Sequence, residues 1–253
     1  MQYYILEDDG GEPKVTGIRN GTGQSWFDDS FWINNKHIQT FMWPASKRDI
    51  RFLSGIQPEF ELDLLGLPLH KSAKHTDLIY LSSLLHGYVV SSKFRELLEK
   101  FRLPPHRFYT VTFQQPDKKT DKINEVKGYW YFYFEKFTGK TTVDFSKSVF
   151  NTNFHKKYLN LSDGDLKVSS FEDYMDIFYN HSARNASNLV FNKNFNDKLD
   201  LWGYRFLTRH NYISESLVQA IEIEKITGVK IISQERERSA AKIVRYPFCE
   251  LLF

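Results

Sequence analysis

Residues 88–109 read YVVSSKFRELLEKFRLPPHRFY and contain the clearest helix pattern of the chain. The stretch opens with β-branched residues and continues into apolar residues at the i, i+3, i+4, i+7 spacing of one helical face: Phe94, Leu97, Leu98 and Phe101. Ser91 or Ser92 can cap this helix, because a serine hydroxyl accepts a hydrogen bond from a free backbone amide of the first turn. Pro104-Pro105 ends the helix, since proline has no amide hydrogen. The stretch therefore predicts a strand followed by an amphipathic helix of about three turns.

A second stretch, residues 212–232, has the same layout and reads YISESLVQAIEIEKITGVKII. A short apolar piece leads to Ser214, and three apolar residues then share one helical face: Leu217, Ala220 and Ile221. Thr227-Gly228 stops the helix ahead of a strand over residues 229–232. The general pattern of a capped helix between two strands explains this likeness best, and an internal duplication is the alternative interpretation.

Aromatic β-rich runs surround the two helices. Phe, Tyr and Trp make up 16% of the chain, which favours sheet because flat rings pack well on a pleated surface. Strands are predicted over residues 3–6, 108–113, 129–134 and 141–145. The second and third of these runs flank a polar loop over 114–127, and we expect them to be antiparallel neighbours. Loops and edge strands are predicted over 17–33.

These patterns predict an α+β fold, with a mixed or antiparallel sheet and a few amphipathic helices packed on it. A chain of 253 residues is long enough for one large domain or two small ones. We expect a single domain over residues 1–253, with two lobes dividing near residue 160 as a further hypothesis. One cysteine, Cys249, excludes a disulfide framework and a multi-cysteine zinc site.

Composition and charge exclude several classes of protein. The chain is 41% hydrophobic and 26% charged, which excludes a disordered or collagenous chain. A net charge of +3 is too small an excess to indicate a nucleic-acid binder. The opening MQYYILEDDG lacks a basic segment followed by an apolar run, and no window is apolar enough to span a membrane. We therefore expect a cytoplasmic protein without a membrane partner.

The motif search finds no catalytic signature. The sequence contains no G-x-S-x-G, no G-x-x-x-x-G-K, no H-E-x-x-H and no complete G-x-G-x-x-G. Its histidines do not fall at metal-ligand spacing. The sequence thus predicts no catalytic, metal or cofactor site. This favours a binding protein over an enzyme.

One segment, residues 161–180, is strongly acidic and includes a predicted helix that starts at the capping pair Ser170 and Asp173. Its only basic residue is Lys167, against five carboxylates: Asp163, Asp165, Glu172, Asp173 and Asp176. A solvated helix face is the simpler interpretation of this cluster. A partner-binding surface is the functional one, because a basic partner would be attracted to it.

Four segments carry a family resemblance: YYILEDD (3–9), GYVVSSKFRELLEKFRLPPHRFY (87–109), GYWYFYFEKFTGKTTVDFSKSVF (128–150) and the stretch 212–232. Taken in this order, they resemble the immunity proteins of bacterial polymorphic toxin systems, in the branches numbered eleven and forty-three. Within them, residues 143–150 match the family's Ile-Asp-Phe-x-x-Ser-x-Phe run, and residues 227–229 match its closing Thr-Gly-apolar motif. Residues 45–76 and 151–209 match no part of the family pattern.

The resemblance implies a cytosolic inhibitor that binds a cognate toxin domain and neutralises it by stoichiometric occlusion. It implies no catalytic residue and no cofactor. Two alternatives stay open. One is an enzyme whose active-site residues are far apart in sequence and which reverses the toxin's damage. The other, ranked last, is a nucleic-acid-associated protein that uses basic residues interrupted by Glu235 and Glu237: Arg236, Arg238, Lys242 and Arg245.

Overall fold

The computed structural model describes most of the chain. The described residues are 2–10, 12–19, 23–42, 57–81, 87–120, 122–151, 165–166, 168–181, 186–208, 210–233 and 242–245. They form helices and strands in three sheets, so the predicted α+β class is confirmed. Within them, no helix combines the length and the apolar character that crossing a bilayer requires.

The elements have the following bounds. The strands are β1 (Tyr3–Asp8), β2 (Leu64–Pro68), β3 (Leu78–Ile79), β4 (Gly87–Ser91), β5 (His106–Pro116), β6 (Ile123–Phe134), β7 (Val149–Asn151), β8 (Asp165–Leu166), β9 (Ala186–Phe191), β10 (Leu201–Gly203), β11 (Asn211–Ser214), β12 (Val229–Ser233) and β13 (Lys242–Arg245). The helices are α1 (Pro13–Thr16), α2 (Asp29–Asn34), α3 (Lys36–Met42), α4 (Ser92–Leu98), α5 (Phe171–His181) and α6 (Glu215–Ile223).

The three sheets are mixed or antiparallel. Their strand orders are β2-β5-β6-β4-β3, β10-β11-β1-β12 and β13-β9-β7-β8. The pairs β2–β5 and β9–β13 are parallel, and the other pairs are antiparallel. The predicted neighbours 108–113 and 129–134 are indeed paired, with Phe108 opposite Phe132.

The first two sheets share one hydrophobic cluster. Because side chains alternate across a strand, Phe132 and Phe134 point into this cluster while Tyr131 and Tyr133 line the opposite face. In the same way, Leu6 points into it and Ile5 does not. The cluster joins both sheets to α4 and α6 through these buried residues: Leu6, Leu78, Val90, Phe94, Leu97, Leu98, Phe132, Phe134, Leu201, Ile213, Leu217, Val218, Ile221 and Ile226. Each sheet covers its other face with a cluster of its own.

The two sheets contain the same structural unit twice. The order β3-β4-β6-β5 in the first sheet corresponds to β10-β11-β1-β12 in the second, and all these pairs are antiparallel. Val90 lies opposite Leu78, and Ile213 lies opposite Leu201. A constant offset of 123 residues relates these pairs and continues through the helices into β5 and β12. We call β3, β4, α4, β5 and β6 repeat one, and β10, β11, α6, β12 and β1 repeat two.

The repeats differ in how the chain reaches their third strand. In repeat one, β6 follows β5 after a short connection over residues 117–122. In repeat two the equivalent strand is β1, which comes from the other end of the sequence and lies between β11 and β12. The stretches 88–109 and 212–232 therefore lie in units that share strand order and register as well as a capped helix. A capped helix between two strands does not by itself require this agreement.

Several local predictions were wrong. Most of the predicted loop over 114–127 belongs to β5 and β6, which extend as a long hairpin. The predicted strand over 141–145 consists of turns and one isolated bridge from Val143 to Phe191, because the Thr142 and Val143 amides donate back to the Gly139 carbonyl. Residues 29–34 form α2, because Asp28 accepts a hydrogen bond from the Phe31 amide at 2.8 Å and caps a helix there. The hypothetical lobe boundary near residue 160 lies outside the described residues and stays a prediction.

Candidate partner-binding surface

The structure brings three of the five predicted acidic residues together. Glu172, Asp173 and Asp176 are exposed on α5. Asp165 begins β8, but its side chain lies outside the described part of the structure, as does the whole of Asp163. We use the name acidic face for Glu172, Asp173 and Asp176 on α5.

Local sequence explains why α5 forms and which side it buries. Ser170 caps the helix, because its hydroxyl accepts a hydrogen bond from the Asp173 amide at 3.0 Å. Tyr174 and Met175 are buried in the outer cluster of repeat two, and the Tyr174 hydroxyl donates to the Phe206 carbonyl at 3.0 Å. The apolar side is therefore fixed to the core, and the acidic face is held on the outside.

The acidic face borders an open groove of about 720 Å³. The groove is lined by Ser146, Val168, Ser169, Glu172, Asp173, Asp176 and Ile177. Its lining combines polar and acidic side chains with the aliphatic side chains of Val168 and Ile177. A groove of this kind can accept a protruding side chain of a partner that is basic at its tip and apolar along its stem.

The turn at residues 144–148 forms the edge of this groove. The Asp144 carboxylate accepts a hydrogen bond from the Ser146 hydroxyl at 2.7 Å, and the Ser148 hydroxyl donates to the Asp144 carbonyl at 2.7 Å. Ser148 Oγ also accepts from the Val190 amide at 3.0 Å, which ties the turn to β9. Phe145 and Phe150 are buried and stacked, with ring centroids 5.7 Å apart. The polar residues of this matched run therefore hold the turn in place.

The carboxylates of this region are held in their ionised form. The ion pair with Lys140, whose Nζ lies 2.7 Å from Glu172 Oε1, lowers the pKa of Glu172. A hydrogen bond from the Ser169 hydroxyl lowers the pKa of Asp173. A hydrogen bond from Ser146, supported by Lys147, lowers the pKa of Asp144. These groups are negative at neutral pH and accept hydrogen bonds without exchanging protons.

Sequence reasoning missed the two lysines near this surface. Lys140 pairs with Glu172, and Lys147 lies 3.2 Å from Asp144, so the surface is less negative than residues 161–180 suggest. Both come from the segment before β7, which no charge count over the helix alone would include. In the described part of the chain, no group of three or more His, Cys, Asp or Glu side chains is placed to hold a metal ion.

No family model matches the chain, and no curated protein matches it. The segments that carry the resemblance to immunity proteins all fall on or next to the repeats. Residues 3–9 include β1, residues 87–109 cover β4 and α4, and residues 212–232 cover most of β11, α6 and β12. Residues 128–150 run from β6 to the turn at the groove.

Proposed function

We propose that this protein is an immunity protein that binds a cognate bacterial toxin domain and covers the toxin's active site. We further propose that the acidic face of α5, with the adjoining groove, makes the contact. The observation that carries this proposal is the set of ionised carboxylates that α5 displays beside an open groove. A stoichiometric inhibitor needs such a preformed surface and no chemistry of its own.

Rigidity of the surface supports the proposal. Tyr174 anchors the N-terminal part of α5, and the groove edge is tied to β9 through Ser148. A surface that is ordered before binding loses little conformational entropy when the complex forms, so more of the contact energy becomes affinity.

The charge of the surface indicates the kind of partner. The whole chain carries +3, so attraction for a basic toxin must be local, and the acidic face is a local source of negative potential. A toxin that cleaves nucleic acid needs a basic cleft to hold its substrate. Complementary charge would speed association of such a toxin with α5.

The test is co-expression of this protein with the toxin domains encoded beside it, followed by a pull-down. Rescue of growth together with a one-to-one complex is the expected result. Rescue without a complex would indicate instead an enzyme that undoes the toxin's damage. Failure of both rescue and complex formation with every such domain would contradict the proposal.

A variant tests the surface itself. Glu172→Gln, Asp173→Asn and Asp176→Asn together should weaken the complex while the protein stays folded. Amides are preferable to lysines because Glu172 and Asp173 lie in the first turn of α5, where the free backbone amides disfavour positive charge. A triple variant that rescues and binds like the wild type would exclude the acidic face as the contact surface.

A further inference from the structure

Two aspartates occupy equivalent positions in the repeats. Asp77 precedes β3, and Asp200 precedes β10, at the offset of 123 residues that relates the repeats. Asp77 Oδ1 accepts a hydrogen bond from Ser91 Oγ at 2.7 Å, and Asp200 Oδ1 accepts one from Ser214 Oγ at 2.8 Å. The two serines cap α4 and α6. Each aspartate therefore supports the helix cap of its own repeat.

The second oxygen of each carboxylate reaches into the other repeat. Asp77 Oδ2 accepts from the Thr227 amide at 2.9 Å and from the Thr227 hydroxyl at 2.8 Å, in the segment that follows α6. Asp200 Oδ2 accepts from the Arg102 amide at 2.9 Å and lies 3.4 Å from Arg102 Nε, in the segment that follows α4. The two contacts are reciprocal, since each repeat supplies one aspartate that accepts and one segment that donates.

Backbone hydrogen bonds reinforce both crossings. The Leu78 amide donates to the Thr227 carbonyl at 3.0 Å, and the Asp200 amide donates to the Arg102 carbonyl at 2.8 Å. The Asp200 side chain is only 8% exposed. A buried or partly buried carboxylate that lost these donors would be left without hydrogen-bond partners and without water. Opening either crossing, the Asp77–Thr227 contact or the Asp200–Arg102 contact, therefore costs free energy.

We propose that Asp77 and Asp200 form a reciprocal interlock that makes the two repeats open and unfold as one unit. Helix capping alone does not need the crossings, because Ser91 and Ser214 already accept the hydrogen bonds of the first turns. The crossings join residues that are 150 and 98 positions apart in sequence, so they couple distant regions of the chain. They act beside the shared apolar cluster and beside further polar contacts between the repeats, among them the Tyr88 hydroxyl, which donates to the Leu6 carbonyl at 2.9 Å and accepts from Asn211 Nδ2. This inference does not depend on the proposed function.

The experiment compares Asp77→Ala/Asp200→Ala with the control Ser91→Ala/Ser214→Ala. The control removes the caps and leaves the crossings in place. Hydrogen exchange measured by mass spectrometry over a urea series would follow β4–α4 and β11–α6 separately. In wild type and control, both regions should lose protection at one urea concentration. In the aspartate variant they should separate into two transitions, and the amides of Arg102 and Thr227 should exchange about tenfold faster or more.

A single transition of both regions in the aspartate variant, at any urea concentration, would overturn the interlock. Two transitions in the wild type would overturn it as well. If the aspartate variant does not fold, Thr227→Val is the alternative. It removes the hydrogen bond from the Thr227 hydroxyl to Asp77 and changes a residue of repeat two only. The interlock then predicts faster exchange in β3 and β4 of repeat one, and a change confined to repeat two would contradict it.

Discussion

Repeat one and repeat two share a scaffold and differ in what surrounds it. Strand order, register, serine caps and supporting aspartates are the same. The outer face of repeat one is covered by α2 and α3, which contribute aromatic and aliphatic residues, and β2 extends its sheet. Repeat two is covered by β7, β9 and the acidic α5. The shared parts are those that build the core. The parts that differ are where we place partner binding.

The largest expected difference between the repeats lies in their outer cores. Trp202 in repeat two is fully buried and stacks on Tyr212, with ring centroids 4.4 Å apart. The equivalent residue in repeat one is the smaller Ile79. Trp202→Ala should lower the free energy of unfolding by about 3–5 kcal/mol, since loss of the indole ring would leave a cavity in the outer cluster of repeat two. Ile79→Ala should cost less, about 2–4 kcal/mol. Urea unfolding of both variants checks the order, and equal losses would contradict it.

A glycine of repeat two provides the next comparison. Gly228 has φ of 79°, and an added Cβ would lie 2.3 Å from the Leu78 carbonyl oxygen of repeat one. Gly228→Ala should therefore cost roughly 2 kcal/mol or more, through backbone strain and displacement of this contact. Gly66 also has positive φ, at 69°, but its Cβ would meet only the Gln114 side chain. Gly66→Ala should cost about 1 kcal/mol, and thermal unfolding of both variants measures the two losses of stability. A smaller loss of stability for Gly228→Ala than for Gly66→Ala would show that the close approach of Gly228 to Leu78 does not contribute to stability.

The two serine caps should respond alike. Ser91 Oγ accepts from the Phe94 amide at 3.1 Å, and Ser214 Oγ accepts from the Leu217 amide at 3.2 Å. Ser91→Ala and Ser214→Ala should each lower the free energy of unfolding by about 1–2 kcal/mol. Denaturant midpoints of the two single variants measure this. A loss at one serine only would break the equivalence of the repeats.

The supporting aspartates should make stability depend on acid pH. Burial alone would raise the pKa of Asp77 and of Asp200, but hydrogen bonds outweigh it and lower both pKa values: for Asp77 from Ser91 and Thr227, for Asp200 from Arg102 and Ser214. A lowered pKa in the folded state means that the stabilisation is present above the unfolded value of about 3.9. It is lost as the pH falls through the folded values.

Melting temperatures between pH 6 and pH 2 would measure this effect. The cations that face these carboxylates are Lys93 and Arg102, which stay charged throughout that range. Asp200→Asn should flatten the acid part of the curve relative to wild type. An unchanged slope would mean that Asp200 has the same pKa in the folded and unfolded chain.

Most of repeat one and repeat two could be predicted from sequence, because their signals are local. The spacing of Phe94, Leu97 and Leu98 and the Ser91 cap determine α4 within a few residues, although the helix is shorter than predicted. The place of β1 could not be predicted. Its partners β11 and β12 are more than 200 residues away, and nothing in residues 3–8 encodes which strands it joins.

The candidate site was predictable only in part for the same reason. Glu172, Asp173 and Asp176 share one helix face, so their grouping is visible in the sequence. The groove needs Ser146 from another segment, and the pairing of Lys140 with Glu172 joins residues that only the fold brings together. The interlock was invisible, since an aspartate before a strand carries no local signal of the segment that its second oxygen contacts.

The decisive experiment is a calorimetric titration of two matched variants with a toxin domain that has passed the co-expression test. One carries Glu172→Gln, Asp173→Asn and Asp176→Asn on repeat two's outer layer. The control carries Asp29→Asn, Glu59→Gln and Glu96→Gln at exposed positions outside that layer, with the same change in net charge. If α5 makes the contact, the first variant binds at least about tenfold more weakly and the control binds like the wild type. Equal affinities for both variants would contradict that contact.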